Sequence, residues 1–391
     1  MSRLALSILI GGPAATAYAI VPDMQVPPIV VGSILSGPRP SAGAPEYRQV
    51  LVTWHAREVR CAGVPVAFLR QPAVMPMLNW AAPTTAMKSV EFGFTIDPGG
   101  RPIDIKRLAT DYVATGGDLA PALAVVQFAS NSPRTACSLT YVPDAQPIAT
   151  APIALMMAYT MFPQQRPTPE IWARVKPAGS TCFDPVPQVR NRAFPDFDAL
   201  PRQPGRQSWS MIGFDIDENG TPVRLKPVAG NGNAALDSAS LKAVAESRFA
   251  AGARAGCQYP YWIGAGTVPP PPMPEEASFR PADATCPAQA EWAVSPTLTY
   301  PDNFRRRGIE GWAMIGYDVA PWGATGNVRV LATQPSDEFG AQAMRIITTA
   351  KRVPSATGYT GCIDRVSFKM GPTQRKPGGP PVIFDPPQPA Y

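Results

Sequence analysis

A pattern that occurs three times constrains this chain most. Gly93-Phe94, Gly213-Phe214 and Gly316-Tyr317 each sit inside an alternating apolar stretch. Cys61, Cys182 and Cys286 precede these glycines by a nearly constant interval, and Cys137, Cys257 and Cys362 follow them by another. Self-similarity at a fixed period marks a repeated supersecondary unit. The interval here is that of whole domains rather than the short period of a solenoid, so the chain reads as three tandem units.

A chain of 391 residues agrees with two or three domains by size alone. Its 49 prolines are far above ordinary usage. Many fall outside the repeated pattern, in residues 20–45, in Pro269 to Pro274 and in residues 371–391. Such stretches read as extended, semi-rigid connectors. The expected division is a leader at 1–19, a lead-in at 20–46, units at 47–143, 144–263 and 285–370, a linker at 264–284 and a tail at 371–391.

Arg3, the apolar run Leu4 to Ile10 and the Ala17-Tyr18-Ala19 triplet have the order of a secretory signal peptide cleaved after Ala19. The run is interrupted by Gly11, Gly12 and Pro13, well short of the roughly 20 apolar residues a membrane span needs. An uncleaved anchor is the alternative. Export to an oxidising compartment turns the six cysteines into candidates for disulfides. The repeat favours Cys61–Cys137, Cys182–Cys257 and Cys286–Cys362, one bridge per unit. Each would close a loop worth on the order of 4 kcal/mol in the chain-entropy picture. Zinc is a poor alternative, because the chain has no CxxC and His55 is its only histidine. The net charge of +6 is mildly basic, which serves solubility or attraction to an anionic envelope surface. Export argues against nucleic acid as a partner.

Within each unit the pattern is strand, turn, strand, helix, strand. Tyr47 to Arg60 reads as a strand or strand pair ending at Cys61. Val90, Phe92, Phe94 and Ile96 alternate, Asp97 to Gly100 form a turn, and Ile103 and Ile105 alternate again. Asp118 is placed to cap a helix from Leu119 to Phe128, and Cys137 opens a short last strand stopped by Pro143. In the second unit Ser210 to Ile216, the turn Asp217 to Gly220 with Asn-Gly at positive φ, and Val223 to Leu225 repeat this plan. Asp237 would cap a helix from Ser238 to Phe249, followed by a strand from Cys257 to Ile263 that carries Pro260. Met156, Met157 and Met161 read as core. In the third unit Tyr300 to Gly308 is a short helix with proper stop signals. A strand follows at Ala313 to Val319, and then Val328 and Val330. Asp337 would cap a helix through Lys351, and Cys362 to Met370 form the final strand.

The third unit, YPDNFRRRGIEGWAMIGYDV followed by GNVRVLATQ, an amphipathic helix and IDRVSFKM, resembles the C-terminal domain of TonB-type energy transducers. The resemblance covers Tyr300 to Met370, and the upstream units share it from the Gly-aromatic strand onward. It implies an α+β fold, with two helices against a three-stranded antiparallel sheet. It also implies a periplasmic protein that grips an extended segment of an outer-membrane transporter by adding it as a strand. A full transducer carries an N-terminal membrane anchor with a histidine. Here the N-terminus reads as cleavable, His55 lies in the first unit, and the paired cysteines are an addition.

No catalytic set stands out. One histidine removes most Ser/His and Cys/His schemes, Ser210 lacks a GxSxG setting, and Asp215 and Asp217 flank a turn. The chain therefore reads as a non-enzyme, with no metal, cofactor or small-molecule substrate. The binding surface is expected on the last strand of unit three, whose outward positions are Ile363, Arg365, Ser367 and Lys369, with Val366, Phe368 and Met370 facing the core. Arg305, Arg306 and Arg307 form a basic run that reads either as a solvated helix face or as a contact to an anionic partner. Three readings follow: a periplasmic module that binds an extended envelope-protein segment, a membrane-anchored transducer for nutrient uptake, and an exported structural or assembly protein.

Overall fold

The computed structural model describes residues 48–371, apart from 82–85, 110, 164, 184 and 288–289. The leader, the lead-in and the tail beyond Gly371, including Val382-Ile383-Phe384, lie outside the described residues. The fold is α+β, built from several small antiparallel sheets and few helices.

The first unit starts with β1 (Arg48–Ala56), β2 (Val59–Cys61), β3 (Val64–Val66) and β4 (Met77–Ala81). Then come the hairpin β5 (Val90–Ile96) and β6 (Pro102–Arg107), helix α1 (Leu119–Ala124) and the long strand β7 (Arg134–Pro147). Helices α2 (Ile153–Met161) and α3 (Pro169–Val175) lead to the short β8 (Val189–Asn191). The second unit continues with β9 (Ser208–Ile216), β10 (Pro222–Gly230), α4 (Ala234–Glu246), β11 (Arg248–Phe249) and β12 (Arg254–Ile263). The third has β13 (Trp292–Val294), α5 (Asp302–Arg306), β14 (Gly311–Val319), β15 (Thr325–Gln334), α6 (Asp337–Thr349), β16 (Lys351–Arg352) and β17 (Tyr359–Phe368).

One scaffold recurs. In the sheets β10-β9-β12 and β15-β14-β17 the first strand of the hairpin is central, and β5 likewise pairs with both β6 and β7. The backbone repeats in detail. Gly100, Gly220 and Gly323 turn the three hairpins at φ of 79°, 82° and 87°. Their carbonyls accept from Phe128, Phe249 and Arg352 N–H at 2.8, 2.9 and 2.9 Å. Four residues after each glycine, Asp104, Arg224 and Asn327 adopt φ of 53°, 54° and 48°, where the second strand bulges. Ala136, Gly256 and Gly361, each just before a cysteine, adopt φ of 49°, 69° and 67°. Bridges join Cys61 to Cys137, Cys182 to Cys257 and Cys286 to Cys362, the pairing read from the repeat.

Several expectations are corrected. The sheet of unit one has seven strands, not three. Its last strand is not short: β7 spans 14 residues and runs through Pro143. It does so because β5 begins only at Val90, opposite Tyr141, so Pro143 has only β1 as a neighbour, and proline is tolerated where one edge is free. The helix α1 is shorter than expected, and Asp118 makes no capping hydrogen bond. Asn233 and Ser336 cap α4 and α6, whereas Asp237 and Asp337 lie in the first turns, where a carboxylate suits the helix dipole. In the Asp217 to Gly220 turn only Gly220 has positive φ.

The proline-rich linker is packed rather than free. Val268 N–H donates to Gly308 O and Val268 O accepts from Glu310 N–H, each at 2.9 Å. Trp312 Nε1 donates to Pro271 O at 2.9 Å and Arg101 to Pro269 O at 2.7 Å. Prolines lack a donor but keep their carbonyls, and two of those carbonyls hold the strap down. The described residues, 48–371, belong to one compact unit. A single apolar cluster runs from Val52, Phe92 and Tyr141 of unit one to Phe304, Ile315, Phe339 and Phe368 of unit three. A second cluster joins Leu51 and Leu78 through Met156, Met157 and Ile171 to Trp209 and Met211; Met161 is packed against it.

Candidate strand-docking edge

The strand β17 is held on one side by β14, in a register that pairs Phe368 with Gly311 and Cys362 with Tyr317. It is longer at its start than expected, beginning at Tyr359 and including Gly361. Its buried side rests on Phe368, which is fully buried among the rings of Tyr300 and Phe339, with centroids at 5.5 and 5.2 Å. Phe304 of α5 closes that cluster, 4.7 Å from Phe339. Edge-to-face packing of this kind fixes the strand beyond what area burial alone would do. Val366 packs on the same core, and Met370, half-buried, lies past the strand end and donates its N–H to Glu310.

The opening of β17 is clamped. Asp318 Oδ1 accepts Gly361 N–H at 2.9 Å and Oδ2 accepts the Asn327 amide at 2.8 Å. Those two hydrogen bonds hold its carboxyl below the ordinary range against the effect of burial. Arg352 donates to Asp364 at 2.7 Å and to the Tyr317 hydroxyl, which itself bonds Asp364. Burial and then the Asp364 charge push the Tyr317 hydroxyl upward.

Among the described residues the other side of β17 is open beyond its first residues. Thr285 and Cys286 N–H reach Thr360 O at 3.1 and 3.2 Å, and from Ile363 to Phe368 no strand among the described residues pairs this side. Arg365 and Lys369 are exposed, while Ile363 and Ser367 are half-buried. Arg305 and Arg306 are exposed on α5, with Arg305 paired to Asp302 at 3.0 Å. Among the described residues no hydrogen bond or ion pair joins them to β17. Arg307 is not part of this surface. It is buried and bonded to Asp118 of unit one, where its guanidinium supplies the counter-charge to that buried carboxylate. Sequence reasoning missed Asp118 in this role.

Unit one shows what an occupied edge looks like. Tyr141 of β7 pairs with Val90 of β5 and with Ala56 of β1, and Cys137 pairs with Phe94 of β5 and with Cys61 of β2. The strands β1 and β2 therefore line the side of β7 away from β5. Counting from the paired cysteines, Thr140 corresponds to Arg365, and Thr140 O accepts Arg57 N–H from the outer side at 2.9 Å. Alternation along a strand then gives Ile363, Arg365 and Ser367 outward backbone groups.

Residues 296–369 match the family model of the Gram-negative bacterial TonB protein C-terminal. The third unit is a TonB-type C-terminal domain. The match covers the sheet β15-β14-β17 with α5 and α6, and so includes the open edge. No curated protein matches the chain. No helix of the described residues is long and apolar enough to cross a membrane.

Proposed function

We propose that this protein is a periplasmic TonB C-terminal-domain protein that holds an extended segment of an outer-membrane transporter as a strand added to β17. The observation that carries this is the open edge of β17 within the matched domain. The β1–β7 pairing supports it, as an example in the same chain of a strand laid on the corresponding edge. Backbone hydrogen bonds would supply affinity, and the alternating side chains the register. Arg365 and Lys369 favour a segment that carries carboxylates.

Units one and two are on this reading divergent copies that position the third. The edge of unit one is closed by β1 and β2. The edge of unit two is blunted by Pro260, which lies in the outer strand β12. In unit three the stretch before Cys286 is proline-rich and turns through the short 3-10 helix at Glu276–Phe279. Among the described residues its backbone N–H groups reach β17 only at Thr360, through Thr285 and Cys286, which leaves the rest of the edge for a partner. Export follows from the leader, and mass spectrometry of the mature protein should find Ile20 at its N-terminus.

The test compares three proteins as baits for outer-membrane extract. Ser367→Pro removes an outward donor from β17 and should abolish retention of the transporter. Thr140→Pro is not a neutral control, because Thr140 is paired on both sides. Gln258→Pro, on the β12 edge, takes its place and should bind like the parent. Equal retention by parent and Ser367→Pro would end the strand-addition reading, whether docking lies elsewhere or residues 372–391 already cover the edge.

A further inference from the structure

The three units put one residue in the same position. Arg248 pairs with Asn191 and Phe249 with Val189 in unit two, and Lys351 with Val294 and Arg352 with Trp292 in unit three. In unit one Gln127 bridges Arg70, which sets Phe68 level with Val189 and Trp292. In unit one that residue completes a stack. The Phe68 ring lies 5.4 Å from Phe128, which lies 6.1 Å from Phe94. In unit three the Trp292 ring covers the Arg352 guanidinium at 3.5 Å and stacks near Tyr317, with centroids at 6.3 Å. Unit two keeps the inner pair, Phe214 and Phe249 at 5.6 Å, but its outer member is Val189.

A cleft of about 530 Å³ opens at that place, walled by Val189, Phe249, Phe214, Phe183, Trp172 and Tyr259. That volume falls within the range of roughly 300 to 1,000 Å³ in which preformed apolar sites hold small molecules. Two cations also line it. The Arg192 guanidinium lies over the Tyr259 ring at 4.0 Å, and Lys176 Nζ over Phe183 at 5.7 Å. Both side chains are half-buried, so a ligand in the cleft would meet two positive charges with reduced screening.

We propose that this cleft binds a planar aromatic anion, its ring taking on Phe249 the place that Phe68 and Trp292 fill in the sister units, and its acid group meeting Arg192 and Lys176. The site is independent of the β17 edge, so either assignment can fail alone. A flat ring is favoured over an alkyl chain because rings occupy the corresponding position in both other units.

The experiment is calorimetric titration of the full, disulfide-bonded chain with 2-naphthoate, its neutral amide 2-naphthamide, and dodecanoate. Naphthoate should bind one per chain, about tenfold more tightly than the amide, a ratio that corresponds to about 1.4 kcal/mol. Val189→Trp fills the slot from within and should weaken naphthoate at least about tenfold while near-UV circular dichroism stays folded. Arg192→Gln should bring naphthoate and amide to within about threefold of each other. The absence of saturable naphthoate binding would overturn the proposal. So would unchanged binding by folded Val189→Trp, or dodecanoate binding more tightly than naphthoate. If Val189→Trp does not fold, Arg192→Gln decides, and an undiminished preference for the acid rejects the site.

Discussion

Arg307 is the residue on which all three units meet. Its guanidinium bonds both Asp118 oxygens, Ala73 O at 2.7 Å and Gly205 O at 3.2 Å. Met75 N–H also donates to Asp118, at 2.9 Å. Removing one partner of a buried pair leaves the other charge without compensation, at a cost of about 3–5 kcal/mol, whereas replacing both by apolar groups is often near neutral. Arg307→Met should therefore lower the urea-unfolding free energy by about that much, and Arg307→Met with Asp118→Leu should recover at least half. A loss below about 1 kcal/mol for the single variant would mean that the pair is not buried as described. Glu338 gives a second residue-scale prediction. Burial, then the Asp337 charge, push its carboxyl from the ordinary 4.5 up to about 7, with Arg107 opposing. Because the folded state holds the proton more tightly, its contribution to stability is fully present below pH 4.5 and is lost as pH rises through about 7. Glu338→Gln should flatten the dependence of Tm on pH across that window, and an unchanged slope would remove Glu338 as its source. Neither residue was legible in the sequence. A run of three arginines has no periodicity to say which one turns inward, and Asp118 is 189 residues away from Arg307.

At the scale of elements the repeat does most of its structural work through the hairpin glycines. A Cβ on Gly220 would lie 2.2 Å from Phe249 O, and one on Gly323 2.1 Å from Arg352 O. Gly179 also has positive φ, at 69°, but a Cβ there would meet nothing within 4 Å. Gly179→Ala should therefore cost only the left-handed backbone penalty of about 1–2 kcal/mol. Gly220→Ala adds a clash with a carbonyl that cannot move without breaking the Phe249 hydrogen bond, and should cost about 4 kcal/mol or more by thermal unfolding. Equal costs would show that the turn relaxes. This level was the most legible: alternation located β5, β9 and β14, the turn residues located the hairpins, and the cysteine intervals gave the disulfides. The caps were displaced by a residue or more, since Asn233 and Ser336 outcompete the aspartates that follow them. The strands β1 to β4 as a layer on β7, and the open side of β17, were not fully legible, because which segment lies along an edge is decided by contacts distant in sequence.

The whole molecule does not follow the order of its sequence. Units one and three, separated by all of unit two, share one apolar cluster with the strap residue Val268, while Ile212, Phe214, Leu236 and Tyr261 of unit two form a core of their own. Backbone links reinforce the first pairing: Ile105 N–H of β6 donates to Pro335 O at 2.9 Å, and the Gln334 side chain both donates to and accepts from Asp104. An edge strand of unit one is thus partly satisfied by unit three. Proteins open in cooperative units that follow shared burial rather than chain order. Native-state hydrogen exchange over a urea series should therefore show amides of β5 and of β14 converging on one opening free energy and one urea slope, although unit two lies between them in sequence. Amides of β9 should converge on a separate, lower value, because the unit-two core is smaller and contains the open cleft. If β14 amides instead merge with a slope distinct from that of β5, unit three opens alone. The partner edge would then belong to an independently folding domain rather than to a face braced by unit one.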